Sequence, residues 1–211
     1  MPSFLRFPVT LAVIAAVAGG GLALVESATK ERIDENKKRK LTAAFREVPG
    51  FAEARELPLS AERRAGLDDE ERCYRLLGAD GRAVGCAAQV KCTAPLGYNR
   101  RDPIALVVVF DPELKTILLL RTTNNKETPG LGTRVSEKAP RWSLASAAGL
   151  ERMKPPAHEY RFLDQFKGLA MGSPEMDRAG VDATTGATVS RKAVLGGVRK
   201  AAGLLKEAAG R

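Results

Sequence analysis

Nineteen residues without a charge, from Phe7 to Val25, constrain this chain more than any other feature of its sequence. At 1.5 Å per helical residue the stretch covers roughly 28 Å, about one bilayer hydrocarbon core. Two other readings compete with a membrane anchor. A cleaved signal peptide would use Arg6 as a minimal basic start and Gly21-Leu22-Ala23 as its small-x-small site, but its apolar region usually spans only about 7–15 residues. A buried core helix would show an amphipathic flank, and neither flank does. The anchor is therefore the expectation. The chain then divides into a membrane anchor over 1–27, a juxtamembrane helix over 28–50 and one domain over 51–211. Charge counting leaves the side of the membrane open. Arg6 precedes the span, whereas Lys30, Arg32 and Lys37-Lys38-Arg39-Lys40 follow it, which taken literally favours a cytoplasmic body. Glu26, Glu31, Asp34 and Glu35 dilute that cluster.

Charge argues against a nucleic-acid binder. The net charge is +9, from 34 basic and 25 acidic residues. Residues 1–40 hold 7 basic and 4 acidic side chains, residues 191–211 hold 6 and 1, and the remaining 150 residues are nearly balanced at 21 and 20. The excess therefore sits at the ends, and aromatics are only 5%, whereas a nucleic-acid surface gathers charge and aromatics on one face. The single histidine, His158, rules out two-histidine zinc motifs, and no CxxC pair supplies an alternative. No GxSxG accompanies it, so a serine-hydrolase reading has no support. Neither a catalytic acid/base pair nor a metal site is expected.

The body reads as α+β. Cys73–Leu77 and Arg82–Val90 flank Gly78-Ala79-Asp80-Gly81, a hairpin signature. Ile104–Phe110 and Thr116–Leu120 flank Asp111-Pro112-Glu113-Leu114; their unbroken apolar runs predict strands covered on both faces. A short helix is expected near 142–150, then a proline-rich loop. After Ser190, Val194, Val198, Ala202 and Leu205 recur at helical spacing, with Ser190 as the expected cap. A four-residue first loop would place Leu77 opposite Arg82 and Cys73 opposite Cys86, within disulfide range; three buried thiols are the plainer alternative.

Two short motifs carry the candidate chemistry. Asp182-Ala183-Thr184-Thr185-Gly186-Ala187-Thr188 runs straight into the last helix. Its hydroxyls suit helix capping, and the same geometry, free N–H groups at the positive end of a helix, suits a phosphate. Glu127-Thr128-Pro129-Gly130-Leu131-Gly132 follows a strand, with Pro129-Gly130 at the central positions of a turn. It reads either as a simple strand-ending turn or as backbone open to a flat aromatic ligand.

Taken together with the leading apolar span, Gly97-Tyr98 and Leu163-Asp164-Gln165-Phe166-Lys167-Gly168, these motifs resemble the G-subunit family of Rnf/Rsx electron-transport complexes. More distantly, the chain is similar to the C subunit of the sodium-pumping NADH:quinone reductase. The resemblance implies an FMN-binding domain with a mainly antiparallel sheet and flanking helices. It implies one covalent FMN per chain, joined through its phosphate to Thr188, the last residue of an Asp-x-x-Ser/Thr-Gly-Ala-Thr/Ser signature that also contains Asp182, Thr185, Gly186 and Ala187. The 127–132 turn and Tyr98 would contact the flavin. Implied partners are the other subunits of an Rnf-type membrane complex and, for maturation, a flavin transferase drawing on FAD. The implied location is the inner membrane, single-pass, with the domain on the periplasmic side. A stand-alone membrane-anchored FMN-domain redox or regulatory protein is the alternative, and a flavin-free anchored module a third. The chain departs from the family in having Asn124-Asn125-Lys126 where a histidine is common, Phe162 where a tryptophan is usual, and an apparent insertion around 138–160.

Overall fold

A computed structural model describes residues 3–92, 102–129, 131–138, 160, 162–178 and 188–210. The chain divides into two compact units, residues 1–42 and 43–211. The first is almost wholly one helix, α1 (Ser3–Arg46). From Phe7 onward it is long and apolar enough to cross a membrane, and Phe7, Leu11, Val17, Leu22 and Leu24 lie exposed along it. Apolar side chains in that number, uncovered by protein, require another apolar solvent.

The second unit is built on a five-stranded antiparallel meander, β1 (Phe51–Leu57), β2 (Arg72–Gly78), β3 (Ala83–Lys91), β4 (Ala105–Phe110) and β5 (Ile117–Asn124), in that spatial order. Short helices α2 (Ala61–Ala65) and α3 (Pro174–Arg178) decorate it, and a long one, α4 (Thr188–Ala208), closes it. The architecture is α+β, as the sequence implies. Each expected hairpin forms, and every residue of β4 is buried. One face, with Ala88, Val90, Leu106 and Val108, packs under α4 through Val194, Val198 and Leu205. On the other side of the sheet the last turn of α1 contributes Ala44 and Phe45, which are buried with Val48; Phe45 stacks edge-on against Tyr74 with ring centroids 5.4 Å apart. Two covered faces explain why β4 shows no polar alternation.

The cysteine register differs from the expected one. Gly78 N donates to Arg82 O at 2.8 Å and Gly81 adopts φ 76°, so the loop has three residues rather than four. A shift between Leu76 and Leu77 adds one further step. Cys73 therefore faces Ala88, and Cys86 faces Arg75. A two-residue displacement keeps both cysteines on the same face but makes them diagonal neighbours, about 7–8 Å apart and outside disulfide range. Cys73, Cys86 and Cys92 are buried thiols.

The expected helix near 142–150, the proline-rich loop and His158 lie outside the described residues. The ends bounding that stretch meet, since Lys138 and Tyr160 form an antiparallel bridge. Leu163–Phe166 is a 3-10 turn whose Leu163 and Phe166 are buried. It leads into a strap along the start of β5, with Gly168 N donating to Ile117 O and Ile117 N to Leu169 O.

Candidate functional site

The 127–132 turn lies between the end of β5 and the described start of α4, which it touches through Glu127 and Ser190. Asn125, just beyond β5, organises this turn. Its Oδ1 accepts from Glu127 N at 3.0 Å, and its Nδ2 donates to Ser136 Oγ at 2.8 Å. An asparagine hydrogen-bonding the backbone two residues on is the usual Asx geometry. Leu131 N donates to Thr128 O at 3.1 Å, closing a turn between those two residues, and a 3-10 turn follows over Gly132–Ser136. The expected turn after a strand is thus in place.

The turn has an inside and an outside. Thr128 and Pro129 are exposed and Leu131 is 41% exposed, whereas Glu127 is only 3% exposed. The buried carboxylate reaches the first turn of α4, where Ser190 Oγ donates to Glu127 Oε2 at 2.8 Å. Gly132 is also buried, and the space that its missing Cβ leaves is taken. A Cβ there would stand 2.7 Å from Ser190 Oγ and 2.5 Å from Glu127 Cβ. Gly132 is therefore explained by this internal contact, independently of any ligand.

Ser190 does not cap α4. The helix already includes Thr188, so Ser190 lies inside it rather than ahead of it, fully buried and bonded to Glu127. Thr188, the first described residue of α4, is exposed. Its neighbour Val189 is 38% exposed. Among the described residues of the 43–211 unit, Leu131 and Val189 are the large apolar side chains left exposed, one in the 127–132 turn and one directly after Thr188. An accessible threonine hydroxyl next to an exposed valine is chemically able to accept a phosphate ester. Of the remaining expected site residues, Tyr98, Gly130, Asp182, Thr185, Gly186 and Ala187 lie outside the described residues.

The sequence reading missed two clusters that hold the site's supports together. Arg121, in β5, is 9% exposed. Its Nε donates to Glu47 Oε2 at 2.9 Å, its Nη1 to Asp164 Oδ1 at 2.6 Å, and its guanidinium lies 4.4 Å from the centre of the Tyr160 ring. Burial opposes the charge, but the two carboxylates outweigh it and hold the Arg121 pKa above its usual value. The arginine joins the chain just after α1 to β5 and to the 163–166 turn. On the other side, Glu71 is 2% exposed and receives Lys91 N at 2.7 Å and the Lys200 ammonium of α4. A charge inside a run such as Leu118-Leu119-Leu120-Arg121 was the available signal, since buried arginine needs partners.

Comparison with known proteins follows the same division of the chain. Residues 97–203 match the family model described as FMN-binding domain, and residues 3–48 match the RnfG N-terminal region. A protein from Pseudomonas aeruginosa, named as the G subunit of an ion-translocating oxidoreductase complex, is 29% identical, over 94% of this chain and 87% of its own length. The protein of the same name from Pseudoalteromonas atlantica is 27% identical, covering 91% and 83%. That from Salmonella typhi is 28% identical, covering 92% and 86%.

Proposed function

Because the chain belongs to the FMN-binding domain family and begins with a segment matching the RnfG N-terminal region, we propose that it is the membrane-anchored, FMN-carrying electron-transfer subunit of an Rnf-type ion-translocating oxidoreductase complex. The N-terminal match and the names of its relatives favour a place among other complex subunits over a stand-alone flavoprotein. When bound, FMN supplies one- and two-electron redox chemistry, and the protein's task is to hold and tune it.

The finer reading is that FMN is attached through its phosphate to Thr188 by a flavin transferase. The observation that carries it is the placement of Thr188: an exposed hydroxyl in the first described turn of α4, two residues ahead of the buried Ser190. Ser190, the nearest other hydroxyl in that helix, is buried. Leu131 and Val189 offer apolar surface for the ring, and the 127–132 turn holds Leu131 in place. The domain is assigned to the periplasmic face of the inner membrane by likeness to the same family.

Intact-mass measurement after co-expression with a flavin transferase tests the attachment. The wild-type chain should gain the mass of FMN less water and fluoresce on a denaturing gel. Thr188→Val keeps the β-branched shape, removes the hydroxyl and should lose both signals. Covalent flavin persisting in that variant would sink the assignment.

A further inference from the structure

The first turn of α4 carries two hydroxyls, Thr188 and Ser190, and the structure treats them oppositely. Thr188 is exposed, whereas Ser190 is fully buried with its proton directed at Glu127 Oε2, 2.8 Å away. We propose that Glu127 is a positioning residue for flavin attachment: by holding Ser190 it seats the first turn of α4 on the 127–132 turn and leaves Thr188 as the hydroxyl presented to the transferase. This rests on the reading that Thr188 is the attachment residue.

Three features converge on the contact. Glu127 is placed from behind by Asn125, which accepts its backbone N–H. Gly132 leaves the room in which the carboxylate and the Ser190 hydroxyl meet, since a Cβ there would overlap both. A buried carboxylate also needs a donor, and the Ser190 hydroxyl supplies one. Without this contact, the helix start would lose its link to the turn bearing Leu131, and Ser190 would compete for solvent and for the transferase. In the attachment step the Thr188 oxygen forms a P–O bond at the FMN-side phosphorus of FAD. The bond from that phosphorus to the bridging oxygen breaks, AMP leaves, and the hydroxyl proton is released.

The test uses the full chain in detergent, purified flavin transferase and FAD. It measures the maximal loading rate by intact mass and maps the flavin to a peptide. Ser190→Ala and Glu127→Ala should each load more slowly, on the order of tenfold, the equivalent of one charge-assisted hydrogen bond. Both should do so with native circular dichroism, and the double variant should be no slower than the slower single one, because the two residues act as a unit. Glu127→Gln keeps an acceptor for Ser190 and should load within about threefold of wild type. Loading of Ser190→Ala and Glu127→Ala at the wild-type rate would overturn the proposal, as would a Glu127→Gln variant as slow as Glu127→Ala. Should Glu127→Ala fail to fold, Ser190→Ala and Glu127→Gln still decide the matter. A failure of the attachment reading looks different: the wild-type chain gains no flavin, or gains it on a peptide lacking Thr188.

Discussion

At Gly132 a single added methyl group would stand 2.7 Å from Ser190 Oγ and 2.5 Å from Glu127 Cβ. Neither neighbour can swing away, since both are buried. Gly132→Ala should therefore cost about 1–3 kcal/mol, the usual range for overpacking, read as a lower urea midpoint, and should slow flavin loading as well. An unchanged midpoint would show that the turn relaxes freely. The thiols act at the same scale. Burial pushes Cys73 and Cys92 up to about 12 from 9.0. In the unfolded chain they ionise near the lower value, so the stability they confer is fully present below pH 9.0 and drains away as the pH climbs toward 12. Urea midpoints near pH 8 and about pH 10 should diverge more for wild type than for Cys92→Ala; an equal loss in both would remove Cys92 from the account.

The elements owe their positions to close approach as much as to apolar pattern. Two of the three glycines in α4 have contrasting surroundings. A Cβ at Gly197 would lie 2.7 Å from Leu106 Cδ1 and 3.0 Å from Cys92 Sγ, whereas one at Gly203 would meet nothing within 4 Å. Alanine at either site gains up to about 1 kcal/mol in helix propensity. At Gly197 the overlap with a fully buried leucine should outweigh that gain, giving a net loss of about 1–2 kcal/mol. At Gly203 the gain should stand, about 0.5–1 kcal/mol. Thermal melts of Gly197→Ala and Gly203→Ala should thus move in opposite directions. Shifts of the same sign would mean that α4 is not seated as closely on the sheet as its glycine suggests.

For the whole molecule, the prediction concerns which side of the membrane carries the domain. Buried cysteines make native thiol labelling a report on folding rather than on sidedness. Ala52, exposed on the edge strand β1, offers a better handle. Ala52→Cys should react with a membrane-impermeant maleimide in cells whose outer membrane has been opened and whose inner membrane is intact, as a periplasmic domain requires. Labelling that appears only after the inner membrane is lysed would place the domain in the cytoplasm. Literal charge counting favours that outcome, because the basic residues after the span outnumber Arg6 before it.

Periodicity and composition alone determined much of this protein. The apolar span predicts the long helix α1, continuous apolar runs predict strands covered on both faces, and the spacing of Val194, Val198, Ala202 and Leu205 predicts the closing helix. Each depends on local pattern, which a linear chain displays. The motifs were equally legible as strings, yet their relation was not. Glu127 reads in sequence as a member of a ligand-facing turn and Ser190 as a cap, but 63 residues separate them and folding turns them toward one another inside the domain. The same holds for Arg121 with Glu47, 74 residues apart, and for the cysteine register, which one shorter loop and one bulge displaced. Contacts between distant segments, and the one-residue irregularities that set register, depend on how the segments pack, and only the tertiary structure decided them.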